Sequence, residues 1–126
     1  MAKQNSTVDV SVVIPIYNEE EVLETLYGRL MPVMENLGMT WEVVFTNDGS
    51  KDRSSEILKD MHARKPKNIK VVEFARNYGQ HMAIMAGFEK TIGDIVINLD
   101  ADLQNPPEEI PNLIAKFKEG YDLVSG

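Results

Sequence analysis

Residues 94–108 read DIVINLDADLQNPPE, and this stretch decides the fold. An apolar, β-branched run from Asp94 to Leu99 predicts a strand buried on both faces. The acids follow at once, at Asp100 and Asp102, with Gln104 two residues further on. Pro107 and Glu108 then open a helix, the proline in a first-turn position and the acid near the positive end of the helix dipole. A strand that runs through a polar tip into a helix is one unit of a parallel α/β sheet.

The same unit recurs toward the N-terminus. Apolar runs at Val10 to Ile16, Trp41 to Thr46 and Ile69 to Phe74 predict three more strands, and Tyr121 to Val124 starts a fifth. Helical spacing lies between them. Leu23, Leu26, Tyr27, Leu30, Met34 and Leu37 fall at three- and four-residue steps, with Gly38 as a C-cap and Pro32 predicting a kink. Asp52 to Lys65 forms a second helix with Ile57, Leu58 and Met61 inward, and His81 to Thr91 a third. The third is apolar all round through MAIMAGF and is expected to be the most buried. The fourth runs to about Glu119. The expected fold class is therefore α/β, a Rossmann-like parallel sheet flanked by helices, in one domain.

Composition narrows the partners. A net charge of −7 disfavours a nucleic-acid groove or an anionic membrane surface. It leaves room for a phosphate-bearing substrate held through a cation. The absence of cysteine excludes disulfides, thiolate metal sites and thiol nucleophiles. The lead-in MAKQNSTVDV has no signal-peptide core, and no apolar run approaches the roughly 20 residues of a membrane span. The chain as given is expected to be cytoplasmic.

Open sheets of this class bind ligands beyond the carboxyl ends of their strands, so the polar tips are the candidate site. Strand one ends in Pro15, which removes a backbone donor and stiffens the exit, then in Tyr17 and Glu19, which can line a pocket floor; the plainer alternative is a loop with Asn18 as helix cap. Strand two ends in Asn47, Asp48 and Gly49, with Ser50 or Asp52 available to cap the next helix. Asp48 either accepts a hydrogen bond from a base or ribose or closes its own turn. Strand three leads to Arg76, a candidate for phosphate or a surface ion pair, and to Gly79 and His81 at a helix N-terminus. Alternate residues of extended chain share a face, so Asp100, Asp102 and Gln104 can aim hard oxygen donors at one Mg²⁺ or Mn²⁺. Without a cation two such charges side by side are costly.

Together, SVVIPIYNEEE, TNDGSKDRSSEIL, FARNYGQHMAIMAGF and the run from GDIVINLDADLQ to the end resemble the family 2 glycosyltransferases of GT-A fold. The long forms NYGQHMAIMAGF and LDADLQNPPEEIP resemble most the branch that moves a sugar from a nucleotide diphosphate to a polyprenyl phosphate. The resemblance implies that Pro15, Tyr17 and Glu19 frame the nucleotide, Asp48 binds the base and Asp100 lies by the ribose and diphosphate. It also implies that Asp102, the catalytic candidate, and Gln104 hold the metal. The family usually carries aspartate where Asn47 stands. Its domain also continues past Gly126 into an acceptor half and membrane helices.

These 126 residues are thus expected to carry the donor side, to be inactive in transfer alone, and to self-associate through uncovered surface. The donor would be a UDP-sugar and the acceptor a polyprenyl phosphate, with a saccharide acceptor or nucleotide binding without turnover as alternatives. A receiver-like domain would need an aspartate where Phe74-Ala75-Arg76 stands, and no dinucleotide fingerprint follows strand one.

Overall fold

The computed structural model describes residues 8–102 and 106–118. Gln104 and the expected fifth strand at Tyr121 to Val124 lie outside the described residues. The elements are β1 (Val10–Ile16), α1 (Leu23–Glu35), β2 (Trp41–Asn47), α2 (Ser54–Arg64), β3 (Ile69–Glu73), α3 (Gln80–Glu89), β4 (Ile95–Asn98) and α4 (Ile110–Lys118). A 3₁₀ turn at Pro107–Glu109 leads into α4. α1 continues through Pro32, and Gly38 follows it with a φ of +70°.

Every strand pair is parallel, and the order is β3-β2-β1-β4. The chain therefore winds outward from β1 to β3, then crosses back to place β4 on the other side of β1. That reversal opens a crevice beyond the carboxyl ends of β1 and β4, the usual ligand position in open α/β sheets.

The two faces of the sheet are covered unequally. Val10, Val12, Ile14 and Ile16 pack against Leu23, Leu26, Leu30 and Met34 of α1, Leu58 and Met61 of α2, and Ile110 and Ile114 of α4. Phe45, Ile97 and Leu99 complete that core. The opposite face is covered by α3 alone among the described helices. α3 lies close to β1 and β2 because Gly87 has no Cβ; one there would sit 2.5 Å from Val13 Cγ1 and 2.9 Å from Thr46 Oγ1.

The expectation that α3 is the most buried helix is wrong. Only Ala83 and Gly87 are buried, while Met82, Met85 and Phe88 stand 52%, 47% and 38% exposed. A helix with a sheet on one side and no described layer on the other buries one stripe, whatever its remaining composition.

A buried polar cluster ties the amino ends of the strands together. Glu42, 2% exposed, pairs with Lys70 at 2.7 Å and accepts from Ser11 Oγ at 2.6 Å and from the Ile92 N–H at 2.7 Å. Burial alone would raise the Glu42 carboxyl, but Lys70, Ser11 and the Ile92 amide outweigh it and hold it below the usual carboxylate range. Among the described residues no helix is long and apolar enough to cross a membrane.

Candidate functional site

The crevice predicted by the strand order is a cavity of about 450 Å³. Pro15, Tyr17 and Glu19 line it from the end of β1, Asp48 from β2, and Asp100 and Asp102 from the exit of β4. Asn77 and Gly79 close it from the loop between β3 and α3, and Gln80 from the first residue of α3. Every described residue singled out for the nucleotide or metal thus lies around one space. Arg76 and His81 do not line it. Arg76 instead lies over the Tyr78 ring, 5.1 Å from its centroid, with Nε donating to the phenol oxygen.

The loops after β1 and β2 hold each other in place. Asn18, with a φ of +52°, donates its N–H to Ser50 Oγ at 2.9 Å and accepts the Lys51 N–H on Oδ1 at 2.8 Å. The Glu19 N–H donates to Ser54 Oγ at 2.9 Å and the Glu20 N–H to Asp52 Oδ2 at 3.2 Å. Asn18 is therefore a stitch between loops and not the cap of α1, whose N-cap position is Val22. The N-cap of α2 is Arg53, so neither Ser50 nor Asp52 stands there, though Asp52 Oδ1 accepts the Ser54 N–H. Sequence reasoning placed these polar side chains on their own helices because it could not see the neighbouring loop.

Asp48 is 3% exposed and its carboxylate gathers the third loop. Oδ1 accepts the Tyr78 N–H at 2.7 Å, and Oδ2 accepts the Gly79 N–H at 2.9 Å and Asn77 Nδ2 at 3.0 Å. Asp48 does not close its own turn: its partners lie about thirty residues away. Gly49 makes room for them, since a Cβ there would sit 2.2 Å from the Arg76 carbonyl carbon. Asn47 donates to Glu73 Oε2 at 2.9 Å and accepts the Ser50 N–H at 3.2 Å.

β4 ends at Asn98 and a turn begins at Ala101, so the chain is not extended through Asp102 as expected. Burial still alternates: Leu99 and Ala101 are buried, Asp100 is half-buried and Asp102 exposed. Both acids therefore keep the cavity side. Gln80 Nε2 donates to Asp100 Oδ1 at 3.2 Å. Glu19 faces the same space, and its carboxyl is pushed up by burial first, then by the charges of Asp102 and Asp52.

Among the described residues no three His, Cys, Asp or Glu side chains converge closely enough to hold a metal ion by themselves. The carboxylates are nonetheless hard donors around one cavity, and their mutual repulsion is what a divalent cation relieves. The residues fit a cation completed by substrate phosphates and water, the common arrangement for Mg²⁺. Asn77 and Gln80 were missed by sequence reasoning. Their one legible signal was position, just before and at the start of a helix that follows a strand.

The chain matches the family described as Glycosyl transferase family 2 over residues 11–126. It is 53% identical over 116 residues to the undecaprenyl-phosphate 4-deoxy-4-formamido-L-arabinose transferase of Pectobacterium atrosepticum, covering 92% of this chain and 36% of that protein. The chain therefore spans about a third of the length of the curated relatives it matches. Among solved structures, S. aureus TarS 1-349 in complex with UDP is similar at a TM-score of 0.64 and 27% identity, over 75% of this chain and 27% of that one. The mannosyltransferase PcManGT of Pyrobaculum calidifontis, in complex with GDP-Man and Mn²⁺, is similar at 0.64 and 25% identity, over 90% and 33%. With a match over nearly its whole length and the strand-tip motifs around one crevice, the chain belongs to glycosyl transferase family 2.

Proposed function

We propose that this chain forms the donor side of an inverting, metal-dependent transferase that passes a sugar from a UDP-sugar to a polyprenyl phosphate. The observation that carries this reading is the single cavity lined by Tyr17, Glu19, Asp48, Asp100 and Asp102 at the strand-order reversal. The acceptor class is supported by the name of the 53% identical relative, and the uridine nucleotide by the UDP complex of TarS. Membrane association of a longer protein would follow from a lipid acceptor.

In this reading Pro15, Tyr17 and Glu19 frame the nucleotide, and Tyr17, 43% exposed, stands at the mouth. Asp48 receives the base. A carboxylate has about four acceptor positions, and three are filled by the loop, which leaves one on Oδ1 for a ring N–H. Asp100 lies by the ribose and diphosphate, and with Asp102 and Gln104 it would supply hard oxygen donors to Mg²⁺ or Mn²⁺. When bound, the cation stabilises the charge of the departing nucleoside diphosphate as a Lewis acid. The acceptor phosphate has a second pKa of roughly 6, so it is already mostly a dianion at neutral pH. Its oxygen attacks the anomeric carbon opposite the leaving group, and the chain need not supply a base.

UDP binding measured by calorimetry is expected to tighten when Mn²⁺ is added. Asp102→Asn removes charge and keeps shape, so it should abolish that tightening and leave the fold unchanged by circular dichroism. Equal affinity with and without chelator in the parent chain would sink the metal reading; an unaltered Asp102→Asn would sink the residue assignment.

The outward apolar set on α3 also supports self-association. Light scattering over a concentration series should give a mass that rises above that of one chain. A strictly monomeric species at high concentration overturns this.

A further inference from the structure

The loop between β3 and α3 spans the cavity from β2 to β4. On one side Asp48 fixes the N–H groups of Tyr78 and Gly79, while Gly49 lets the backbone of Arg76 and Asn77 lie directly on β2's exit. Gly79, with a φ of +103°, turns the chain into α3, and Gln80 is the first residue of that helix. The backbone leading into Gln80 is therefore held by Asp48, and the exposed Gln80 side chain reaches Asp100 Oδ1 at 3.2 Å.

The chemistry of that donor is selective. A lysine or arginine here would orient Asp100 but would also neutralise it. A neutral amide fixes one oxygen and leaves the full charge on the carboxylate. Carboxylates that hold metals commonly need such an outer partner, and losing one typically lowers metal affinity by about 10- to 100-fold.

Resting on the metal-dependent reading above, we propose that Gln80 is a positioning residue for Asp100. Held by the Asp48 latch, its amide sets the Asp100 carboxylate toward the cation and diphosphate. Gln80 touches neither the reacting carbon nor the acceptor in this role; it acts through Asp100.

The test compares Gln80→Met, which keeps length and removes the donor, and Gln80→Ala with the parent chain. Calorimetry gives UDP affinity in chelator and its Mn²⁺-dependent gain, and thermal melting reports the fold. The expected result is a loss of about 10- to 100-fold in Mn²⁺ affinity of the UDP complex for both variants. Metal-free UDP affinity should change by far less than the Mn²⁺-dependent gain, and the melting temperature should be unmoved. An unchanged Mn²⁺ affinity overturns the proposal while leaving the donor-site reading intact. Parallel loss of metal-free UDP affinity and melting temperature also overturns it, since Gln80 would then merely hold the helix start. If the parent chain binds no UDP, or binds it without regard to Mn²⁺, the donor-site reading fails and this inference falls with it.

Discussion

Gly49→Ala is expected to lose about 3–5 kcal/mol of stability and nearly all nucleotide affinity, because two independent causes add. Gly49 has a φ of +70°, a left-handed conformation that costs a residue with a Cβ roughly 1–2 kcal/mol. The new Cβ would also sit 2.2 Å from the Arg76 carbonyl carbon, 2.4 Å from the Asn77 nitrogen and 2.6 Å from the Arg76 Cα. These are backbone atoms and cannot swing aside, so the loop must lift. Lifting it stretches the Tyr78 and Gly79 hydrogen bonds to a buried carboxylate, each of a kind worth roughly 1.5–3 kcal/mol. Gly38→Ala is the control, because Gly38 shares the φ of +70° but a methyl group there would meet nothing within 4 Å. Thermal melts of the two variants, with UDP titrations, separate strain from collision. Equal losses in the two would show that the loop does not press on Gly49.

The parts of this molecule legible in its sequence were those written locally. Runs such as Val10 to Ile16 state a strand in their own composition, and a strand exit such as Asp100-Ala101-Asp102 states a polar tip. The parallel sheet follows from their alternation with helices, and the crevice from the general geometry of such sheets. What stayed hidden depended on distant partners. Glu42 sits inside an otherwise apolar run, and nothing near it announces that Lys70 and Ser11 come to meet it. Asn77 and Gln80 gain meaning only from Asp48 and Asp100, which lie 29 and 20 residues away. The misreading of α3 has another cause. MAIMAGF states how apolar a helix is, but burial depends on how many layers lie against it, and the described layers cover one side only.

Asn47 stands where the sequence's resemblance to its family implies an aspartate, and Asn47→Asp is expected to destabilise the chain by roughly 3 kcal/mol at neutral pH. The residue is 1% exposed and uses both ends of its amide. Oδ1 accepts the Ser50 N–H, a bond that aspartate would keep. Nδ2 donates to Glu73 Oε2 at 2.9 Å, and there aspartate would set anion against anion. Two charges about 3 Å apart repel by roughly 5 kcal/mol at an effective dielectric constant of about 20, and less here because Glu73 is exposed and water screens it. Acid should relieve the loss, because a proton on either carboxyl restores a donor to the pair. The deficit is therefore present at neutral pH and shrinks as pH falls, which denaturant titrations at several pH values would record. Glu73→Gln added to Asn47→Asp rebuilds the contact with donor and acceptor exchanged, and should recover most of the stability at neutral pH. An Asn47→Asp chain as stable as the parent, or one that Glu73→Gln does not rescue, would refute this pairing. The neutral side chain at this strand tip is then a requirement of Glu73, and carries no implication that the adjoining cavity has lost its ligand.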